Sequence, residues 1–175
     1  LVEKFNKDKA LKFHKIFNPS NKQGPKTEIL AMDCEFVKSP KGKDLLARVS
    51  LINFKGEVIY DTVVNPEEPI ADYITHITGL TKESFVDAPS YSEVNQYVIN
   101  MIRGTVIVGH TLLCDLEKFT STDEVVSYVD VSEFTDYTKD GFRKSKLKDL
   151  SSHHLNAKIQ EGVHSSIIDA RAAMA

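Results

Sequence analysis

Apolar residues cluster in five short stretches along the chain, and turn signals or helical patterns separate these stretches. Their lengths and β-branched content predict strands rather than helices. The first three stretches follow one another closely, and Lys55-Gly56 between the second and third is a tight hairpin signal, so these three strands predict an antiparallel meander. The predicted strands are Ile29–Glu35, Leu46–Phe54, Glu57–Val64, Val106–Gly109 and Val125–Val131.

Helical patterns lie between and after the later strands. Ser90 and Glu93 form a capping-box sequence, and the apolar stripe that follows contains Tyr91, Val94, Val98 and Met101. Further helices are predicted over Leu112–Phe119, over Lys146–Leu155, and from Ser165 or Ser166 toward the C-terminus. An initial meander followed by alternating strands and helices predicts an α/β domain with a five-stranded mixed sheet flanked by helices.

Two carboxylates interrupt the first strand, at Asp33 and Glu35. Because side chains alternate along a strand, both carboxylates face the same way, about 7 Å apart, while Cys34 faces the opposite side. Charged side chains are rarely buried unless they are paired or bind a metal. This strand therefore predicts a bound cation.

Two further acidic residues lie where they could join that pair. Asp115 follows the fourth strand, and functional sites in open α/β sheets collect at strand ends; alternatively, Asp115 is an exposed acid early in a helix. His164 and Asp169 are five residues apart, a rotation of about 140° on a continuous helix. They can serve one site only if His164 precedes the helix.

Composition bounds the class of protein. A chain of 175 residues with 41% apolar content suits one domain, and no apolar run approaches the roughly 20 residues of a membrane span. Cys34 and Cys114 are predicted to be reduced thiols in a cytosolic or nuclear protein. The net charge is −3, yet residues 1–28 hold seven lysines against three acidic residues, a net of +4. This basic extension is either a solvated, partly helical segment or a tail that contacts phosphates or a neighbouring domain.

The order Asp-x-Glu, Asp after a Gly-His strand end, and His-x4-Asp resembles the DEDDh 3′-5′ exonucleases of the RNase H-like superfamily. Within them it is similar to the eukaryotic Rex-type RNA exonucleases and the interferon-stimulated exonuclease. Ser165 occupies the position where a sister group has tyrosine, so the histidine class is the match. The resemblance rests on these segments: Ala31-Met32-Asp33-Cys34-Glu35, Leu46-Ala47-Arg48-Val49-Ser50, Tyr60-Asp61, Ile70-Ala71-Asp72-Tyr73, Val108-Gly109-His110 and His164-Ser165-Ser166-Ile167-Ile168-Asp169-Ala170-Arg171-Ala172.

The resemblance implies a site of four carboxylates, Asp33, Glu35, Asp115 and Asp169, that holds two Mg²⁺ or Mn²⁺ ions. Oxygen-only ligands suit these hard cations better than zinc. Asp33 would be shared by both ions, with Glu35 and Asp169 on the water side and Asp115 on the leaving-group side. His164 would act as general base. Its alternative role is that of a structural histidine at the start of a helix.

Candidate substrate contacts are less specific. The segment 139–148 carries five cations and Phe142, and we prefer a phosphate-guiding role for Arg143 and Lys144 over a plain solvated loop. Phe36 replaces a methionine usual in the family and could stack on the terminal base. Gly79 indicates a sharp turn or a close approach. Ile74 stands where related enzymes carry Arg or Asn, and it cannot hydrogen-bond a ribose hydroxyl.

These features predict a 3′-to-5′ exoribonuclease domain over residues 29–175, whose C-terminal end could be truncated, preceded by a basic extension over 1–28. It would release nucleoside 5′-monophosphates from single-stranded RNA 3′ ends in RNA processing or turnover. We expect neither a nucleotide cofactor nor binding to a membrane. The alternatives are a DNA-directed 3′-5′ exonuclease and a non-catalytic nucleic-acid-binding module. The resemblance implies a nuclear or nucleolar location, with the cytoplasm as the alternative. Since the chain begins with Leu1 rather than Met, we expect a processed or excised fragment, and other domains of a longer chain upstream are candidate partners.

Overall fold

The computed structural model describes residues 28–119, 127–133 and 145–175. The basic extension up to residue 27 and the predicted contacts Arg143 and Lys144 lie outside the described residues. The strands are β1 (Ile29–Lys38), β2 (Asp44–Asn53), β3 (Val58–Val63), β4 (Val106–Gly109) and β5 (Ser127–Asp130). The α-helices are α1 (Thr75–Thr78), α2 (Tyr91–Ile102), α3 (Leu113–Leu116), α4 (Leu147–Leu150) and α5 (Ser166–Met174).

The five strands form one mixed sheet in the order β3-β2-β1-β4-β5. The β3-β2-β1 half is antiparallel, and β4 and β5 add to β1 in parallel, which confirms the predicted architecture. The hairpin between β2 and β3 turns at Gly56, which has a φ of +78°. Because β1 is central and β4 is its parallel neighbour, residues that follow β4 lie near the second half of β1.

Alternate residues of β1 pack into two separate layers. Leu30, Met32 and Cys34 join the larger core cluster on the side of α2. Ala31 packs with Ile52, Val108 and Ala170 on the side of α5. Ala170 is fully buried against the sheet. Because its side chain is only a methyl group, the backbone of α5 can lie close to the strands. The carboxylates of Asp33 and Glu35 follow Ala31 on the α5 side of the sheet.

Helix α2 begins where the capping box predicts. Ser90 Oγ accepts a hydrogen bond from the backbone N–H of Glu93 at 3.3 Å, and the Glu93 carboxylate accepts one from the N–H of Ser90 at 2.9 Å. Val94 and Val98 are buried as predicted. The stripe is completed by the fully buried Ile102, whereas Met101 only packs against the cluster from its edge.

Of the two shorter predicted helices, one is much shorter than predicted and the other has the predicted span. Leu112–Phe119 contains only the single α-turn of α3, because the chain turns out of the strand end there and the backbone of Thr111 adopts a φ of +57°. The span Lys146–Leu155 is helical as predicted, but α4 continues as a π-helical turn over Ser151–Leu155.

Cys34 is a buried free thiol and Cys114 an exposed one. Within the described ranges, no helix has the length and apolar character needed to cross a bilayer.

Candidate active site

The second half of β1 carries the first two carboxylates of the site. Glu35 is buried and Asp33 half-buried, while Cys34 between them packs into the opposite layer. The pairing of β1 with β2 is regular up to Glu35 opposite Arg48, and an irregularity follows between Glu35 and Phe36. The unpaired residue is Ala47 on β2, and β1 keeps its alternation, since Phe36 packs in the same layer as Cys34. The strand thus presents both carboxylates on one face, as the sequence predicts.

Helix α5 brings the fourth acid to the same face. It begins at Ser166, with Ser165 as its extended N-cap residue, so His164 lies outside the helix as the spacing requires. Ser165 makes no side-chain cap hydrogen bond. Instead, the Ser166 hydroxyl lies 2.6 Å from that of Ser50 on β2, and both residues are fully buried. This contact fixes the first turn of α5 against the sheet, with Asp169 on that turn's inner side.

Three of the predicted carboxylates meet in one cluster. One oxygen each of Asp33, Glu35 and Asp169 lies within 4.8 Å of the others. Glu35 Oε1 and Asp169 Oδ1 are buried and have no hydrogen-bond partner among the described residues. A buried oxygen without a partner costs about 1–3 kcal/mol or more when charged, so the cluster is arranged for a ligand that supplies positive charge. A hard divalent cation fits this donor set.

The clustered acids shift one another's ionisation. Burial, and then the charges of the other three acids, hold the pKa of Asp33 well above its usual value. Burial and the charge of Asp169 raise the pKa of Glu35 to about 7, although the nearby Arg48 guanidinium opposes this rise. Burial also raises the pKa of Asp169, against the hydrogen bond from Gln160 and the charges of His164 and His110. Without a cation, the site resists carrying its full negative charge.

Asp115 is not one of the three residues whose oxygens cluster, but its charge acts on Asp33. It lies in α3, directly after β4, and is buried. Burial is the main cause that raises the pKa of Asp115 to about 7, and hydrogen bonds from Cys34 partly oppose it. The charge of Asp115 in turn raises the pKa of Asp33. Asp115 is therefore not the exposed acid of the alternative interpretation, because the parallel pairing of β4 with β1 places it beside the site.

Four buried or half-buried acids, contributed by β1, α3 and α5, with a histidine ahead of the last helix, are the arrangement expected of a nuclease of this fold. The family model described as Exonuclease (RNase_T) matches residues 30–175. The chain belongs to this exonuclease family. The family is typically dependent on divalent metals, in agreement with the acidic cluster.

Named relatives of this exonuclease domain are similar over most of its length. It is 38% identical over 164 residues to RNA exonuclease 4 of Cryptococcus neoformans, with 89% of this chain and 39% of the relative covered. It is 36% identical over 160 residues to RNA exonuclease 4 of Saccharomyces cerevisiae, with 89% and 55% covered. The chain thus spans about half the length, or less, of these two relatives.

A solved structure shows the same fold. The exonuclease domain superposes with a TM-score of 0.73 on the Saccharomyces cerevisiae Pan2 pseudoubiquitin hydrolase–RNA exonuclease module in complex with AAGGAA RNA. The two are 26% identical, and the match covers 89% of this chain and 29% of that one. The predicted RNase H-like α/β architecture is confirmed.

The predicted substrate contacts fall in different places. Phe36 lies directly after Glu35, and Lys118 Nζ is 5.3 Å from the centroid of its ring. Gly79 ends α1 with a φ of +69°, and a Cβ there would come within 2.7 Å of Val163 Cγ1. The backbone conformation and the close packing therefore both explain why glycine occupies this position. Contacts of Phe36 and Gly79 with nucleic acid stay predictions, as do those of Arg143 and Lys144.

Ile74 has an unusual backbone. Its φ is +49°, a left-handed conformation that is rare for a β-branched residue and favours Asn. The N–H of Ile74 donates a hydrogen bond to Asp72 Oδ1 at 2.8 Å. Its carbonyl accepts hydrogen bonds from the N–H groups of Ile77 and Thr78 at 2.8 and 3.0 Å, and together these bonds hold the conformation. These hydrogen bonds therefore stabilise the turn at the start of α1 with isoleucine in this position.

Asp130, at the end of β5, was not predicted as part of the site. Its carboxylate accepts hydrogen bonds from the N–H groups of Thr111, Leu112 and Ser132 at 2.8, 3.2 and 2.9 Å, and from the Ser132 hydroxyl at 2.6 Å. Thr111 and Leu112 form the turn that leads into α3. Asp130 thus holds the segment that presents Asp115. In the sequence, its only signal is an acid at the end of an apolar strand.

We expect Asp130→Ala to lower the free energy of unfolding by about 3 kcal/mol or more, because buried N–H groups lose a charged acceptor. Nuclease activity should also fall, since Asp115 loses its support. Urea denaturation with activity measured below the transition checks both. The matched control is Asp130→Asn, which keeps one acceptor oxygen and should lose less stability. Equal stability of the wild type and Asp130→Ala would contradict the role.

A second network supports α5, fully buried at Ser50 and Ser166 and half-buried at Arg48 and Asp61. Ser50, which contacts Ser166, donates to Asp61 Oδ1 at 2.7 Å, and Asp61 also accepts two hydrogen bonds from the Arg48 guanidinium at 2.9 and 2.8 Å. Arg48 is the β2 residue opposite Glu35. Charge-assisted paired bonds of this kind fix orientation. The network therefore links the start of α5 to the strand residue that faces Glu35.

Proposed function

We propose that residues 29–175 form a metal-dependent 3′-to-5′ exoribonuclease domain that releases nucleoside 5′-monophosphates from single-stranded RNA. The observation that carries the proposal is the pair of buried oxygens without partners, Glu35 Oε1 and Asp169 Oδ1, within the acidic cluster of an exonuclease-family chain. The name of its relatives, RNA exonuclease 4, and the RNA in the Pan2 complex support RNA as substrate.

Asp33, Glu35, Asp115 and Asp169 would hold two divalent cations, Mg²⁺ or Mn²⁺. Asp33 is suited to the shared position, because the charges of the three other acids all act on it. When bound, such ions stabilise negative charge on the phosphate and make water more acidic. The four carboxylates would hold the two cations, whose positive charges would offset the negative charges of the acids so that an RNA phosphate could approach.

His164 would remove a proton from the attacking water. The water oxygen forms a bond to the phosphorus of the terminal nucleotide, and the bond from that phosphorus to the preceding 3′ oxygen breaks. The proton moves to the imidazole, and the departing 3′ oxygen takes a proton from solvent. The position of His164 supports this role: it lies ahead of α5, and its charge acts on Asp169.

Substrate choice between RNA and DNA is the part of the proposal with a specific competing observation. Ile74 is apolar where related enzymes carry a hydrogen-bonding residue, and an apolar side chain does not sense a 2′-hydroxyl. A DNA-directed exonuclease is therefore the second candidate. We further propose that residues 1–28 are an extension outside this domain, and that the domain acts within a longer nuclear or nucleolar protein.

The test is degradation of matched single-stranded RNA and DNA oligonucleotides labelled at the 5′ end. With Mn²⁺ or Mg²⁺ we expect a ladder that shortens from the 3′ end, nucleoside 5′-monophosphate products, and faster loss of RNA. EDTA, a 3′-phosphate block and the Asp169→Asn variant should each suppress the ladder. Faster loss of DNA would favour the second candidate, and RNA degradation that survives EDTA or Asp169→Asn would overturn the proposal.

A further inference from the structure

Gln160 contacts the site although no motif pointed to it. Its Nε2 donates a hydrogen bond to Asp169 Oδ2 at 2.8 Å. The other oxygen, Asp169 Oδ1, is buried and has no partner among the described residues. An amide N–H cannot bind a cation, so the contact occupies one oxygen of the carboxylate with a neutral donor. One oxygen of the same Asp169 carboxylate lies within 4.8 Å of an oxygen each of Asp33 and Glu35.

The backbone of Gln160 is itself unusual. Its φ is +57°, a left-handed conformation that is uncommon for glutamine. Asn156 and Gly162 in the same loop also have positive φ values, +52° and +98°. A strained non-glycine residue persists only where the surroundings hold it, and such residues cluster at functional sites. From this left-handed backbone, the side chain of Gln160 reaches Asp169.

The loop that holds Gln160 also carries His164. Beyond Gln160 the chain is anchored a second time, where the His164 N–H donates to the Ile77 carbonyl at 2.7 Å. Next to it, Val163 lies against Gly79 so closely that a Cβ on this glycine would be 2.7 Å from Val163 Cγ1. The Gln160–Asp169 bond therefore closes a loop over 160–169 whose middle is pinned to α1.

We propose that Gln160 is a positioning residue, whose amide fixes the Asp169 carboxylate for cation binding and holds the loop that carries His164. The inference rests on the proposed metal-dependent activity. Gln160 contacts neither the cation nor the RNA in this role. Residues that orient metal ligands in this way affect metal affinity or activity by about 10–100-fold.

The test measures Mn²⁺ binding without RNA, as the rise in melting temperature during a Mn²⁺ titration. Gln160→Met keeps the side-chain length but has no donor, and Gln160→Gly removes the side chain while accepting the left-handed backbone. In both we expect the Mn²⁺ concentration for half-maximal stabilisation to rise about 10–100-fold. The matched control is Glu161→Ala, an exposed neighbour whose carboxylate lies 3.9 Å from Lys158 Nζ, and its half-maximal concentration should stay within about twofold of wild type.

Degradation of RNA by the same proteins completes the test. At limiting Mn²⁺ we expect kcat to fall in both Gln160 variants, to recover in part at high Mn²⁺, and KM for RNA to stay within about twofold, since Gln160 does not contact RNA. Unchanged Mn²⁺ titrations in Gln160→Met and Gln160→Gly, beside an active wild type, overturn the role of Gln160 alone. A wild type that neither binds Mn²⁺ nor degrades RNA overturns the proposed function, and this inference with it.

Discussion

Asp33→Asn is expected to abolish RNA degradation while making the metal-free protein more stable. Burial and the charges of Asp115, Asp169 and Glu35 all raise the pKa of Asp33, so its carboxylate is the most crowded by like charge. Cation ligands at a phosphodiester contribute several kcal/mol, and a loss of about 4 kcal/mol corresponds to about 1,000-fold in rate. The neutral amide removes repulsion and adds a donor for the neighbouring carboxylates.

The two effects are measured on the same samples. Activity on labelled RNA should fall by at least about 1,000-fold. The melting temperature in EDTA should rise, by roughly 2–4 °C for each kcal/mol gained in a domain of this size. Asp87→Asn is the control, because it removes an exposed acid outside the site and should change neither quantity appreciably. A less stable Asp33→Asn protein in EDTA would contradict the electrostatic account.

The metal-free protein is expected to lose stability as the pH rises from about 4.5 to about 7. Glu35 has a pKa of about 7 in the folded protein against an ordinary value of 4.5, and Asp115 one of about 7 against 3.8. Between these values the folded protein binds more protons than the unfolded chain, so the free energy of unfolding decreases with pH. For Glu35, the difference corresponds to about 3 kcal/mol.

Denaturation in EDTA at pH 5, 6, 7 and 8 checks this prediction. Glu35→Gln should flatten part of the slope, since its amide does not titrate. Adding Mn²⁺ should stabilise the protein more at pH 8 than at pH 5, because the cation competes with protons for the same carboxylates. A free energy of unfolding that is constant or increases between pH 5 and pH 8 in EDTA would show that the pKa values of these acids are not raised in the folded protein.

Much of this fold is readable from the chain because its signals are local. The alternation of Asp33, Cys34 and Glu35 places two acids on one face of a strand, and the structure has them there. The capping box at Ser90 sets the start of α2. The order of strands and helices predicts the mixed sheet, and the spacing of His164 and Asp169 requires a helix that begins between them, as α5 does. Each of these features depends on periodicity or on contacts within a few residues.

The tertiary structure decided how the distant acids and their supports meet. Asp130 holds the turn before Asp115 from another strand, Ser50 contacts Ser166 across 116 positions, and Gln160 reaches Asp169 from a left-handed backbone. No local pattern marks such contacts, because a polar residue that accepts or donates a buried hydrogen bond looks in sequence like one that faces water. The chain by itself determined which residues could bind a cation. Only packing around β1 determined that Asp33, Glu35 and Asp169 are brought within 4.8 Å, leaving two of their oxygens buried and without a partner among the described residues.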